Sequence, residues 1–307
     1  MNNNKYFFII NPNAGNAQGK SGWEEIKILL HKNNIDFDSL LTDAPGHAEE
    51  IVGEKIAENY RNFIVVGGDG TLNEVINGIF KQKDVPTDSI YIGLFSMGTG
   101  NDWARYYKIT PDYHKAINRI LQPNIIKQDV GRVVSLLGGQ RYENYFLNVA
   151  GIGLDSKIVF SVNSMKKRGR RNKLAYLFAL IKCFLQHKSL PIRINIENNS
   201  ISDNFLSMSI GNGKFSGGGM RQTPDALNND ALFDIAVYSK MTKFKMLCNI
   251  IKLYNGNIRK LKGLQYFRAK ELSISLDTSY IFELDGEIIE GEHFDINILP
   301  ASINVMI

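Results

Sequence analysis

Along the first 130 residues, short apolar runs rich in β-branched and aromatic side chains alternate with longer segments of helical period. Tyr6 to Ile10 precedes Trp23 to Leu30, and Phe37 to Leu41 precedes His47 to Glu58. Phe63 to Val66 precedes Leu72 to Phe80, and Ile90 to Phe95 precedes a further helical stretch. Continuously apolar strands separated by amphipathic helices predict a doubly wound parallel sheet, because strands buried on both faces need helices on both sides. Such sheets bind ligands beyond the carboxyl ends of their strands. Three of these strands run directly into small polar loops, at Asn11 to Gly22, Gly67 to Thr71 and Ser96 to Asp102.

Beyond residue 130 the pattern changes to short alternating strands with turn signals: Tyr145 to Val149, Ile192 to Ile196, Leu206 to Ile210, Phe233 to Tyr238, Leu272 to Leu276 and Tyr280 to Leu284. These predict a mostly antiparallel β-sandwich. The expected organisation is an α/β domain over residues 1–130 and a β-rich domain over 131–299 with a helical insertion at about 155–187. A last strand, 300–307, is expected to return to the first domain. A chain of 307 residues suits two domains of about 150 each. With 44% hydrophobic and 22% charged residues and only 8 prolines, the composition excludes a largely disordered or collagen-like chain. A mean hydropathy of −0.17 argues against a multispanning membrane protein.

The net charge of +5 is unevenly placed. Lys166, Lys167, Arg168, Arg170, Arg171 and Lys173 put six cations into the eight positions 166–173. Leu174, Leu177, Phe178, Ile181 and Leu185 then share one helical face. Cations beside an amphipathic helix suit docking on an anionic membrane, although a helix packed on the sandwich with a solvated charged end has the same pattern. No aromatic residue is interleaved in 166–173, which argues against nucleic acid as the partner. The opening apolar run of five residues is shorter than the ~7–15 of a secretory segment, and Cys183 and Cys248 have no metal-ligand spacing. The expectation is a cytoplasmic protein peripherally associated with membranes.

Phe63 to Val66 leads into Gly67-Gly68-Asp69-Gly70-Thr71-Leu72-Asn73-Glu74. Glycines allow a tight turn and close approach of a phosphate, and the following helix points free N–H groups at that space. Thr71 and Glu74 stand at capping-box spacing. A carboxylate between the glycines would repel a phosphate unless a cation bridges them. Ser96 to Asp102 repeats the arrangement with Gly98-Thr99-Gly100-Asn101-Asp102. Ala14 to Ser21 matches a loose P-loop pattern, but Asn11-Pro12-Asn13 intervenes between it and the strand. Asp285-Gly286 reads both as a two-residue hairpin turn and as a site for an acid. The glycine-rich Gly211 to Met220 has no clear helix after it and is expected to be a mobile loop near a substrate cleft.

Taken in order, Asn11 to Gly15, Gly67 to Glu74, Gly98 to Asp102 and Asp285-Gly286-Glu287 resemble the diacylglycerol kinase family, in particular its soluble bacterial branch, related to sphingosine and ceramide kinases. The resemblance implies transfer of the γ-phosphoryl group of ATP to a lipid hydroxyl, most simply that of diacylglycerol, with Mg2+ present. It implies ATP contacts at Asn11, Pro12, Asn13, Ala14, Gly15, Thr42, Gly67, Gly68, Asp69, Gly70, Thr71, Leu72, Asn73, Glu74, Thr99 and Asn101. Asp69 would organise the catalytic Mg2+ with Asp129 as a water-mediated helper, and Asp285 would be the general base. A second, structural Mg2+ would sit at Asp230 and the carbonyls of Leu227 and Leu232; the family's usual glycine after that Asp is here Ala231, which disfavours a positive-φ bend.

Gly-Gly-Asp-Gly-Thr is also similar to NAD kinases, and a non-catalytic nucleotide- or lipid-binding module is the reading from another class. Oligomeric state is left open, a homodimer being compatible. Neutralising four of the six cations in 166–173 is expected to weaken binding to anionic vesicles in a sedimentation assay while leaving ATP affinity unchanged. Unaltered vesicle affinity would reject the docking role.

Overall fold

The computed structural model describes residues 5–167, 184–197, 199–239 and 250–307. Arg168 to Lys173, the amphipathic stretch as far as Cys183, and Cys248 lie outside the described residues.

Strands β1 (Tyr6–Ile10), β2 (Phe37–Leu41), β3 (Asn62–Gly67) and β4 (Tyr91–Ser96) pair in parallel in the order β4-β3-β1-β2. Alternate residues of these strands feed two cores. Phe7, Ile9, Phe63 and Val65 pack with Ile51, Val52, Leu72, Val75 and Ile76, from helices α3 (His47–Ala57) and α4 (Asp69–Lys81). Phe8, Ile10, Ile64 and Val66 pack on the other face with Trp23, Ile26, Leu30, Ile117 and Ile120, from α2 (Gly19–Lys32) and α6 (Tyr113–Leu121). Burial on both faces is why the strand sequences show no polar alternation.

The remaining strands pair antiparallel except where β13 (Glu287–Met306) meets β4, and antiparallel pairs outnumber parallel ones across the whole sheet network. β13 is twenty residues long and works as a splice. Its first part pairs with β12 (Glu271–Leu284), its later part with β5 (Ile125–Leu137), and Asn304 and Val305 lie parallel to Tyr91 and Ile92 of β4. Among the described residues thirteen strands are thereby joined in one hydrogen-bonded network. The β-rich half closes on its own apolar cluster, which includes Phe146, Phe205, Phe233, Phe282 and Phe294.

Three local expectations are corrected. The run Tyr145 to Val149 is not one strand: β6 (Gln140–Phe146) ends and β7 (Val149–Gly153) begins across Leu147-Asn148, whose N–H groups are drawn to a carboxylate instead of a neighbouring strand. Leu272 to Leu276 and Tyr280 to Leu284 are one strand, β12, whose polar Asp277-Thr278-Ser279 falls where the register slips between Ser275 and Tyr280. Thr71 and Glu74 form no capping box, because α4 begins at Asp69 and both lie inside it.

Helices α3 and α4 pack closely because Gly78 has no side chain. A Cβ there would lie 2.2 Å from Val52 Cγ1 and 2.5 Å from the Glu49 carbonyl oxygen, a backbone atom that cannot yield. Gly53, on α3, has nothing within 4 Å of an added Cβ. Gly78→Ala is therefore expected to destabilise by about 1–3 kcal/mol through overpacking. Gly53→Ala should stabilise by roughly 0.5–1 kcal/mol through helix propensity. Urea unfolding of both variants checks the opposite signs.

Candidate active site

Three loops meet at the carboxyl ends of β1, β3 and β4. A Cβ on Gly68 would sit 2.8 Å from Gly98 Cα, so only glycines let these two loops touch. Met97 N–H donates to the Gly67 carbonyl at 2.8 Å, and Asn101, in the left-handed region at φ 52°, donates from Nδ2 to the Gly98 carbonyl at 2.7 Å. The first loop is tied in by Asn11, whose Nδ2 donates to Thr71 Oγ1 at 2.9 Å. Gly15, at φ 57°, lies where a Cβ would be 2.5 Å from the Met97 carbonyl oxygen.

Asp69 is the first residue of α4, and its carboxylate accepts the N–H groups of Asp102 (3.1 Å) and Trp103 (3.2 Å) at the start of α5 (Asp102–Tyr106). Asp102 is buried. Its Oδ2 accepts the N–H of Gly218 at 2.8 Å, while its Oδ1 is buried without a hydrogen bond, 3.7 Å from Arg105 Nε. The two carboxylates face each other across Gly100, where a Cβ would be 3.1 Å from Asp69 Oδ2 and 3.6 Å from Asp102 Oδ2. Burial pushes the Asp102 carboxyl above the ordinary range, backbone N–H donation opposes this, and the charge of Asp69 adds to it.

Asp285 and Gly286 form the turn between β12 and β13, with φ 50° and 94°, both left-handed as a type I′ hairpin requires. The hairpin and the acid are the same feature. The Asp285 carboxylate accepts the N–H groups of Leu147 (2.6 Å), Asn148 (2.9 Å) and Val149 (3.1 Å), and Asn73 Nδ2 reaches it from α4 at 3.4 Å. Burial, helped by the charge of Asp69, pushes this carboxyl up to about 6 against the pull of the three N–H groups.

Other expected residues are placed differently. Leu72 is buried in the α3–α4 core, and Glu74 Oε2 accepts the N–H of Ala48 in the first turn of α3. Thr42 is buried past the end of β2, with its N–H on the Ile10 carbonyl, and Thr99 is exposed on its loop. Asp129 joins a separate cluster. Its oxygens accept the N–H groups of Ala231 and Ala301, both at 2.7 Å, and both alanines hold positive φ, 59° and 48°. The bend after Asp230 does take positive φ, and Asp129 holds the alanine in that strained geometry. Asp230 pairs with Arg268 and accepts the Leu232 N–H at 3.2 Å, so its carboxylate is already engaged by the chain; the Leu227 side chain is exposed. Among the described residues no group of three or more His, Cys, Asp or Glu is gathered as a metal site.

Asp102 ends the motif Gly98-Thr99-Gly100-Asn101-Asp102, and its position after two glycines is the sequence signal for it. The Gly211 to Met220 loop reaches the same place through Gly218, and Gly217, Gly218 and Gly219, all at positive φ, are the signal for that excursion.

Glycine loops gathered at adjacent strand ends, with Asp69, Asp102 and Asp285 close by, supply the kinds of parts that phosphoryl transfer uses. Residues 5–133 match the family model described as the diacylglycerol kinase catalytic domain, and residues 148–307 match that of the YegS C-terminal NAD kinase beta sandwich-like domain, which covers more than half the chain. The chain belongs to the diacylglycerol kinase family of lipid kinases. It is 28% identical to a Bacillus subtilis protein named as a candidate lipid kinase, YtlR, over 98% of each chain. It is 29% identical to the diacylglycerol kinase of Staphylococcus aureus MRSA252, over 91% of this chain and 84% of that one. A diacylglycerol kinase structure from Bacillus anthracis Sterne has a TM-score of 0.70 at 21% identity, covering 100% of this chain and 97% of its own. Yeast NADH kinase shares the fold more distantly, with a TM-score of 0.53 at 9% identity over 98% and 82%.

Proposed function

We propose that the chain transfers the γ-phosphoryl group of ATP to the single hydroxyl of diacylglycerol or a similar lipid, in a cleft between a doubly wound nucleotide-binding half and a β-sandwich lipid-binding half. The observation that carries this reading is Asp285, a carboxyl raised to about 6 on a turn of the β-rich half, close enough to Asp69 to feel its charge. A base near neutrality serves proton transfer better than an ordinary carboxylate. The lipid oxygen forms a bond to phosphorus as the bond to the ADP oxygen breaks, and the hydroxyl proton passes to Asp285. All four lone-pair positions of that carboxylate are engaged by the chain, and the 3.4 Å donation from Asn73 is the longest, so the substrate hydroxyl takes that place.

The ATP phosphates fit against Gly68, Gly98, Asn11 and the amino end of α4, where free N–H groups and the helix dipole favour an anion. Asp102, whose Oδ1 accepts no hydrogen bond although Arg105 Nε lies 3.7 Å away, faces Asp69 across Gly100, and the two carboxylates fit a divalent cation as its protein ligands. Bound Mg2+ there would neutralise phosphate charge near two acids that otherwise repel it. At Asp230 the pairing with Arg268 leaves no such fit, and no role is derived for a second cation. The cation run at 166–173 supports work at an anionic membrane surface, and among the described residues no helix is long and apolar enough to cross one.

The test is transfer of labelled phosphate from ATP to a panel of diacylglycerol, monoacylglycerol, sphingosine, ceramide, phosphatidylglycerol and NAD+, with wild type and Asp285→Asn. Label is expected in diacylglycerol, and Asp285→Asn should lose roughly 10²-fold or more in rate while still binding ATP. Label appearing only in NADP, or wild-type turnover by a folded Asp285→Asn, contradicts the assignment.

A further inference from the structure

Glu283 stands two residues before Asp285 on β12, in a strand whose neighbouring positions Phe282 and Leu284 belong to the sandwich core. It is 6% exposed and points to the opposite face. There the register sets Glu283 beside Gly151 of β7, and Gly151 beside Ser209 of β9 (Asn199–Gly211). The first turn of α7 (Leu154–Lys167) lies over this row and brings in Asp155. Asp155 Oδ2 accepts Ser209 Oγ at 2.7 Å, and its N–H donates to Ser207 Oγ at 3.2 Å. A Cβ on Gly151 would lie 3.3 Å from Glu283 Oε2 and 3.4 Å from Asp155 Oδ2, so both carboxyl groups reach the same small space above a glycine.

The charged groups acting on Glu283 are Asp285 from its own turn, Asp155 from α7 and Asp102 from α5, all acidic. Tyr238, from the strand Phe233–Ser239 beside β9, is the phenol near Asp155, and its hydroxyl is buried without a partner. Lys157, on α7, places its Nζ over the Tyr280 ring, 5.3 Å from the centroid. Two carboxylates enclosed together, with no cation between them among the described residues, cannot both ionise cheaply, because each loses hydration and repels the other. Burial pushes Glu283 well above, and Asp155 up to about 6. The remaining Glu283 oxygen, Oε1, accepts the N–H of Gly286 at 2.6 Å, and the Gly286 carbonyl accepts Asn163 Nδ2 from α7 at 2.9 Å. The residue after Asp285 is thus gripped on both sides of its peptide plane system.

We propose that Glu283 is a positioning residue for Asp285: as a neutral carboxyl sharing its proton-bearing enclosure with Asp155, it anchors Gly286 and keeps a further negative charge out of the reacting centre. The rate consequence rests on the lipid-kinase reading above; the protonation state does not. Since the folded-state carboxyl is raised, its contribution to stability is complete in acid and is lost as pH rises through the folded value.

The experiment compares wild type, Glu283→Gln and Glu283→Ala as full-length chains across pH 6 to about 9.5. Gln keeps the oxygen that accepts the Gly286 N–H and mimics the neutral acid. Glu283→Gln should turn over diacylglycerol at close to the wild-type rate at neutral pH, and any fall in wild-type kcat caused by ionisation of Glu283 at higher pH should be absent from it. Glu283→Ala should lose roughly tenfold or more in kcat with little change in KM for ATP. Infrared difference spectra of the ATP-free protein at neutral pH should show a protonated-carboxyl band in wild type that Glu283→Gln lacks. Absence of that band, or a Glu283→Gln enzyme as slow as Glu283→Ala, overturns the proposal. If Glu283→Ala does not fold, the band and the Glu283→Gln pH profile decide it. A wild type that phosphorylates no lipid would remove the function assigned above and leave the infrared result to judge the acid pair.

Discussion

One carboxylate, that of Asp285, sets the arrangement on which the rest of the site depends. Three successive N–H groups at Leu147, Asn148 and Val149 converge on it, which breaks what would be a continuous strand into β6 and β7. Three donors to one carboxylate are charge-assisted bonds of the stronger kind. They fasten the β12–β13 turn to the β6–β7 junction, and Asn73 connects the same spot to α4, donating to both Asp285 and the Tyr145 carbonyl. The two halves of the chain are thereby held together at the place where their functional groups meet.

That arrangement concentrates acids. Asp69, Asp102, Asp285 and Glu283 influence one another, and burial raises the last three. An array of this kind opposes its own stability as pH rises, since raised carboxyl groups contribute most when protonated. It also repels a phosphate, so in the proposed reading a nucleotide would bind here with the help of cations arriving with it and of the N–H groups at the start of α4. The fold keeps the acids close by backbone means: glycines at 68 and 98 let the loops touch, and β13 splices both halves into one sheet.

Much of this was legible in the sequence, for identifiable reasons. Strand-to-loop transitions at Asn11, Gly67 and Ser96 follow directly from apolar runs ending in small polar residues, and Asp285-Gly286 carries the chemistry of a type I′ turn. The capping box failed because Asp69 can start the helix three residues earlier, freeing Thr71 to meet Asn11 and Glu74 to meet Ala48. The split at Leu147-Asn148 was invisible because its cause lies 137 residues away. The resemblance implies a helper role for Asp129; that its oxygens accept the Ala231 and Ala301 N–H groups is not legible in the sequence, because only a three-dimensional path brings those two positions together. Glu283 is a polar position in an alternating strand, and its burial depends on α7 lying across the sheet.

The central claim is that Asp285, dehydrated and held by backbone N–H groups, is the base, poised near neutrality. The pH dependence of kcat/KM for diacylglycerol at fixed Mg-ATP measures it, because that profile reports the essential base of the free enzyme. The account predicts an acid limb with an apparent midpoint of about 6. A limb at about 4, the range of an ordinary solvated carboxylate, would contradict it.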